Sequence, residues 1–182
     1  MNLCVTDKKE LSKPEIRKIA ELLIATWPPK DENINVEKVI DFYTNENLNS
    51  FNKVLLYYNA DELIGHAEIF NREIIIESEK KEILALAGVC VKQSFRGKNI
   101  GAELVKQAFG YVDNGQFKCS VFQTNVPKFY VKLNCKQIYN TFINSKNDND
   151  INKNPWRDPY IMVYPENYNP GNSIIDLNGN CY

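Results

Sequence analysis

The chain has 182 residues, and its 22 lysines and arginines against 23 aspartates and glutamates leave a net charge of −1. This length fits one domain, and the charge balance argues against a nucleic-acid partner, which needs clustered positive charge. The chain has no apolar run near 18 residues and no N-terminal leader pattern, so we expect neither a membrane span nor a secreted protein. Five widely spaced cysteines and one histidine favour neither a disulfide framework nor a metal site. We therefore expect a single cytoplasmic domain over residues 1–182.

The first half of the chain predicts a strand, two helices and three further strands. Residues Ser12 to Glu15 form a capping-box pattern with proline in the first turn, and apolar residues then recur at helical spacing. This pattern predicts a helix over 13–26, and a shorter one is expected around 36–43. Three runs have strand character, the first two joined as a hairpin and the third apolar enough to be buried on both faces. These runs span 52–59, 63–76 and 82–92.

The second half alternates helices and strands and ends in polar sequence. An apolar stripe predicts a helix over 99–111, and Asn125 before Pro127 has the position of an N-cap for a short helix to about residue 133. Strands are expected at 117–123, 136–143 and 160–165. Residues 144–155 are predicted to form a polar surface loop, and residues 166–182 a turn-rich C-terminal extension. This order indicates a mixed α/β domain.

The segment from Val91 to Leu104 contains the main candidate binding site of the sequence. A buried strand ends there, a glycine-bearing turn follows, and a helix begins. The first-turn amides of a helix have no internal partner, and they attract anions together with the helix dipole. Gly97 and Gly101 permit close approach of a ligand, and Arg96 and Lys98 add positive charge. The segment predicts a phosphate or pyrophosphate cradle, with a plain strand-to-helix turn as the alternative.

The run FRGKNIGAEL resembles the acyl-CoA-binding motif of the GNAT acetyltransferase superfamily, in which an arginine or glutamine precedes two small residues. Arg96 takes the first position and Gly101 the last, while Asn99 replaces the usual small residue between them. Asparagine tolerates left-handed backbone angles best among non-glycine residues, so we expect the turn to survive. The resemblance implies a GNAT fold, with a mixed, mostly antiparallel central sheet splayed at the cofactor strand and helices on both faces.

The resemblance also implies acetyl-CoA as the acyl donor. In that family a bulge breaks the cofactor strand, and Gly88 is the expected place for it. Backbone groups beyond the bulge would pair with the pantetheine arm, and one amide would hold the acetyl oxygen. The implied cofactor-binding residues are Val89, Cys90, Val91, Arg96, Gly97, Lys98, Asn99, Ile100, Gly101, Ala102 and Asn125.

A second signature lies at 125–135, which resembles the family pattern that ends in Gly-Phe. Tyr130 occupies the tyrosine position, and its phenol would protonate the departing CoA thiolate. Asn134 and Cys135 replace the Gly-Phe pair. The alternative for Tyr130 is a helix tyrosine that only packs.

The segments IGHAEIFNREIII and LALAGVCVKQSFRGKNIG resemble the aminoglycoside 2′-N-acetyltransferases. Ala87 stands where those enzymes tend to carry a glutamate base, so another group or a water chain must take the proton. His66 and Glu68, two apart on one strand face, are the candidate bases, and the candidate acceptor-site residues are Asp31, Glu32, His66, Glu68 and Tyr182. The alternative is a solvated acidic loop at 31–32, a hydrogen-bonded strand histidine and a rim glutamate.

The sequence thus predicts an N-acetyltransferase acting on a small-molecule amine, with aminoglycosides and amino sugars as candidate acceptors. Two other functions stay open: a CoA-binding module without transferase activity, and a protein or peptide N-acetyltransferase. The expected partner is the amine, with no nucleic acid and no membrane, and a homodimer stays open.

Overall fold

The computed structural model describes residues 1–31, 33–45, 49–147 and 149–182. Its contacts divide the chain into two units. The first comprises residues 1–70 and 87–108, and the second comprises 71–86 and 109–182.

The described residues form four α-helices, which are α1 (Lys13–Thr26), α2 (Val36–Asn45), α3 (Ile100–Asp113) and α4 (Pro127–Val131). The strands are β1 (Asn2–Asp7), β2 (Asn52–Asn59), β3 (Glu62–Ile76), β4 (Glu79–Val91), β5 (Ser120–Thr124), β6 (Lys136–Ile138), β7 (Phe142–Ile143), β8 (Tyr160–Tyr164) and β9 (Ile175–Asp176). Single turns of 3-10 helix lie at Lys8–Glu10 and Gln93–Phe95.

In the first unit, helices cover both faces of the sheet. Strands β1 to β4 follow one another in chain order, and β2 pairs antiparallel with both β1 and β3. On one face α3 packs closely, because a Cβ at Gly65 would lie 3.1 Å from side-chain atoms of Ile100 and Leu104. On the other face Ile19 and Leu22 of α1 join a buried apolar cluster with strand residues.

The capping box of α1 is confirmed. The Ser12 hydroxyl accepts from the Glu15 amide, and the Glu15 carboxylate accepts from the Ser12 amide at 2.8 Å. The box satisfies amides that a helix start leaves without partners, which fixes the boundary where the sequence predicts it.

The second unit is built around β5. This strand pairs parallel with β4 through Leu84–Ser120 and Ala85–Val121, and antiparallel with β8 along its whole length. Strand β6 pairs with the other edge of β8, and β9 pairs with β3 and β7. A buried apolar cluster fills this unit. Each of these strands contributes at least one side chain to it, β6 through Ile138 alone, and Trp156 also belongs to it. The sheet is open and mostly antiparallel, so the predicted mixed α/β fold class is confirmed.

Two strand predictions need correction. Strand β5 begins at Ser120 rather than 117, because the Phe117 amide donates to the Tyr111 carbonyl and closes the turn after α3. The expected strand over 136–143 is split into β6 and β7. Between them the Asn140 side chain donates to the carbonyls of Gly171 and Ser173, which interrupts the strand.

The C-terminal extension adds β9, which the turn-rich sequence of that segment left open. Ile175 and Leu177 are fully buried, and Ile175 pairs with Ile76 and with Phe142. The described residues of the polar segment 144–155 are largely exposed, but Asn144 is buried and its amide donates to the Ile151 carbonyl. The extension is tied into the second unit by backbone hydrogen bonds, and the Ser145 amide of the polar segment donates to the Asp176 carboxylate at 3.0 Å.

Within the part of the chain that the structure describes, no helix has the length and apolarity to cross a membrane. The same residues contain no group of three or more histidine, cysteine or acidic side chains placed to hold a metal ion. All five cysteines are free.

Candidate functional site

The end of β4 is distorted where the sequence predicts a bulge. Gly88 has a φ of +59°, a left-handed angle inside an otherwise extended strand. A Cβ at this position would lie 3.1 Å from Cε1 of His66 and 3.2 Å from its Nδ1. Both the backbone angle and the close neighbour therefore favour glycine at position 88.

Cys90, two residues further on, behaves as a small apolar side chain. It is 4% exposed, and burial raises the pKa of its thiol to about 11. The thiol thus stays protonated near neutral pH and is a poor nucleophile.

The turn after β4 contains two left-handed residues. A single 3-10 turn at Gln93–Phe95 leads into Gly97 with φ +80° and Asn99 with φ +67°. A Cβ at Gly97 would meet no atom within 4 Å, so the backbone angle alone favours glycine there. Asn99 adopts the conformation that the motif needs, as expected from its tolerance of left-handed angles.

Helix α3 begins directly after this turn. The Glu103 amide closes its first turn on the Asn99 carbonyl at 3.0 Å, so the amides of Ile100, Gly101 and Ala102 precede the helical ladder. The side chains of Ile100 and Ala102 are buried. A ligand at this helix start would therefore bind to backbone amides rather than to side chains.

Positive charge lies beside these amides. Arg96 folds back so that its Nε donates to the Val91 carbonyl at 3.1 Å, and the Lys98 ammonium lies 4.8 Å from the centre of the Phe95 ring. The Lys92 side chain forms an ion pair with Glu62. Arg96 and Lys98 thus bracket Gly97 in a turn that can receive an anion.

Tyr130 lies on α4 in the second unit. It is 5% exposed, its ring lies 4.6 Å from that of Phe122, and burial raises the pKa of its phenol above the usual range. The phenol is therefore held in its proton-donating form. Asn134, three residues after the end of α4, has φ +60°, so here too an asparagine takes a left-handed angle where the family pattern has glycine.

Asn125 does not cap α4, contrary to the sequence prediction. Val126 is the capping residue, and its amide donates to the Thr124 hydroxyl at 3.0 Å. The Asn125 amide instead donates to the Asp158 carboxylate at 2.5 Å. Proline at the first turn of the helix is confirmed, and the cofactor role of Asn125 stays a prediction.

Among the predicted acceptor residues, Asp31 forms a local turn. Its carboxylate accepts from the amide and the side chain of Asn33, both at 2.9 Å. Glu32 lies outside the described residues. Tyr182 lies in the second unit, where its hydroxyl donates to the Val121 carbonyl at 2.6 Å and its ring contacts Trp156. Tyr182 is partly buried against the apolar cluster of this unit, and burial raises the pKa of its phenol. Its role at the acceptor site stays a prediction.

His66 and Glu68 belong to a buried polar cluster that sequence reasoning only partly found. His66 is fully buried and Glu68 is 7% exposed. Glu68 accepts from the Lys8 ammonium at 2.8 Å, and the Tyr43 hydroxyl lies within reach of both Glu68 and His66. Lys8 and Tyr43 were missed, because a lysine in a charged run and a tyrosine in a helical stripe give no signal of such a contact.

Comparisons with known proteins identify the domain. A family model described as an acetyltransferase (GNAT) domain matches residues 7–138. No curated protein gives a significant match.

Solved structures share the fold at low sequence identity. A GCN5-related N-acetyltransferase from Kribbella flavida is 14% identical with a TM-score of 0.57, over 75% of this chain and 33% of that one. ElaA of Escherichia coli is 16% identical with a TM-score of 0.59, over 90% of this chain and 99% of that one. A GNAT family acetyltransferase from Brucella melitensis, solved in complex with acetyl-CoA, is 16% identical with a TM-score of 0.53, over 74% of this chain and 83% of that one.

The chain spans about a third of the length of the first two solved chains that it matches. The family model covers well over half of the chain, and it includes both the left-handed turn before α3 and Tyr130. The chain belongs to the GNAT acetyltransferase family, whose acyl donor is acetyl-CoA.

Proposed function

We propose that the chain is an acetyl-CoA-dependent N-acetyltransferase that acylates a primary amine of a small molecule, with aminoglycosides and amino sugars as the candidate acceptors. The observation that carries this proposal is the turn at Gly97 and Asn99. Both residues have left-handed backbone angles, and α3 begins directly after them. This is the arrangement in which successive backbone amides can receive a pyrophosphate.

The residues of the first unit bind the donor. The backbone of Val89 to Val91 pairs with the pantetheine arm, and the amides from Gly97 to Ala102 hold the pyrophosphate with support from Arg96 and Lys98. Acetyl-CoA supplies the activated acyl group. A backbone amide of the distorted strand stabilises the charge that develops on the acyl oxygen, because a preorganised donor needs no reorganisation during reaction.

The amine nitrogen bonds to the thioester carbon as the C–S bond breaks. Tyr130 gives a proton to the departing thiolate and regains one through water from the newly acylated nitrogen, a role supported by a phenol that burial keeps protonated. The attacking ammonium must first lose a proton, and Ala87 has no group that can take it. His66 is buried and Glu68 is paired with Lys8, so we assign proton removal to water, while Asp31 and Glu32 attract the cationic acceptor.

The test is chromatographic measurement of CoA release from acetyl-CoA with a panel of aminoglycosides, amino sugars and peptides. The proposal expects release that depends on a small amine, including an aminoglycoside with a free 2′-amine. Release only with peptides would indicate a peptide acetyltransferase. Binding of acetyl-CoA with no productive acceptor would favour the CoA-binding module, for which Ala87 supplies the chemical reason. We place the activity in the cytoplasm and leave a homodimer to be measured.

A further inference from the structure

The ring of His66 lies directly against the distortion of the cofactor strand. Its Nδ1 is 2.8 Å from the Gly88 carbonyl oxygen, and both residues belong to the first unit. Gly88 is left-handed, and no larger residue fits beside the ring without displacing it. The histidine and the glycine are thus fitted to one another in shape as well as by a hydrogen bond.

This contact fixes which ring nitrogen carries the proton. A carbonyl oxygen can only accept, so Nδ1 must bear hydrogen. Burial lowers the pKa of the ring, which favours the neutral form with a lone pair on Nε2. The Tyr43 hydroxyl lies 3.4 Å from Nε2, but it donates its single proton to the Glu68 carboxylate.

Two charged side chains, Glu68 and Lys8, contact Tyr43. Its hydroxyl is 3.3 Å from a Glu68 oxygen, and the other Glu68 oxygen accepts from Lys8. The Lys8 ammonium also lies 4.1 Å from the centre of the Tyr43 ring, within range for a cation–π contact. The buried carboxylate is paired with a buried ammonium, so the cluster can stay in the interior without an isolated charge.

The hydrogen bond from His66 acts on the next residue through the peptide plane. The Gly88 carbonyl and the Val89 amide belong to one planar trans unit, in which the N–H points away from the C=O. When the carbonyl accepts from His66, the direction of the Val89 N–H is fixed as well. Hydrogen bonds in series polarise one another, so the same contact makes this N–H a stronger donor.

We propose that His66 is a positioning residue that aims and polarises the Val89 amide, and that this amide is the donor that holds the thioester oxygen of acetyl-CoA. The inference rests on the proposed function and deepens it by naming one amide of the cofactor strand. It also gives a fully buried histidine a defined part in the reaction.

The first test needs no ligand. His66 is the only histidine in the chain, so ¹⁵N-histidine labelling gives one pair of ring signals. We expect a neutral ring protonated on Nδ1 at pH 7. Protonation on Nε2 alone would overturn the proposal, because the Gly88 carbonyl would then have no donor.

The second test compares His66→Asn with His66→Leu in the full chain. Asparagine can place an amide N–H near the position of Nδ1, whereas leucine fills the space without a donor. Acetyl-CoA carrying ¹³C at the thioester carbonyl reports the hydrogen bond through its infrared stretch, and calorimetry gives its affinity. We expect a lowered stretch in the wild type and His66→Asn, and a stretch near that of free acetyl-CoA in His66→Leu with roughly three- to tenfold weaker binding.

Other results separate this inference from the function on which it rests. If the wild type binds acetyl-CoA and His66→Leu leaves the stretch unchanged, the positioning role is wrong and the proposed function stands. If the wild type does not bind acetyl-CoA, both fall. Should His66→Leu fail to fold, His66→Gln replaces it, because its longer amide reaches towards Nε2 rather than Nδ1. Equal stretches in the Asn and Gln variants would then contradict the proposal.

Discussion

At the scale of single residues, Gly88 carries two separate constraints. Its φ of +59° disfavours any side chain, and the His66 ring would lie only 3.1 Å from an added Cβ. We expect Gly88→Ala to lower the free energy of unfolding by about 1–3 kcal/mol and to weaken acetyl-CoA binding. Urea denaturation and calorimetry measure the two effects.

Gly110 provides the matched control. It lies within α3, and a Cβ there would meet no atom within 4 Å. Gly110→Ala should raise stability by roughly 0.5–1 kcal/mol, because alanine is the better helix former. Equal effects from the two substitutions would contradict the special conformation assigned to Gly88.

His66 predicts a dependence of stability on pH. Burial lowers its pKa below the ordinary 6.5, so below that pH the unfolded chain binds a proton that the folded chain does not. Stability should be level above about pH 7 and fall as the pH is lowered through 6.5 towards the folded pKa. Glu68 favours and Lys8 opposes protonation of the ring, and the folded-state pKa reflects both.

Urea titrations at several pH values between 5 and 8 measure this slope, with His66→Asn as the control that should lack it. The paired carboxyls of Asp7 and Glu15 have lowered pKa values too, but their contributions are lost at more acidic pH, below the ordinary 3.8 and 4.5. A wild-type slope that equals that of His66→Asn would show that the ring is not desolvated.

At the scale of elements, α1 is the clearest case of local sequence setting a boundary. Ser12 and Glu15 cap each other reciprocally, and this exchange lowers the pKa of Glu15. We expect Ser12→Ala to lower the unfolding free energy by about 1 kcal/mol, measured by urea denaturation at pH 7. The loss should shrink in acid, where Glu15 is protonated, and a loss independent of pH would argue against the charged box.

Elements that depend on local pattern were predicted well, and those that depend on distant partners were not. Strand β2 and helix α1 have the bounds that their periodicity predicts. The break at Asn140 depends on carbonyls some thirty residues away, and β9 depends on Phe142 and Ile76. No single-sequence pattern encodes such partners.

The same division applies to the candidate site. The cradle at 96–101 is contiguous in sequence, so its residue types reveal both the turn and the helix start. The two asparagines that depart from the family pattern, Asn99 and Asn134, both adopt left-handed angles, which explains why the departures leave the turns intact. The contact of Lys8 with Glu68 joins residues 60 apart and has no local signature.

At the scale of the whole molecule, the account requires that donor binding and turnover can be separated by substitution. Tyr130 is buried and packs on Phe122, and the proposed chemistry uses only its hydroxyl. We expect Tyr130→Phe to keep the affinity for acetyl-CoA while lowering kcat on the best acceptor by about 10²-fold. An unchanged kcat would remove Tyr130 from the mechanism, and a lost affinity would indicate a structural role.

The most direct test of the central claim is calorimetric titration of the chain with acetyl-CoA, alongside Asn99→Gly and Asn99→Val. The account predicts binding by the wild type, equal or tighter binding by the glycine variant, and roughly tenfold weaker binding by the valine variant, because a β-branched residue resists the left-handed angle of the cradle. Thermal unfolding of each variant confirms that the fold is intact. No binding by the wild type, or equal affinity in Asn99→Val, would contradict the claim that this turn holds acetyl-CoA.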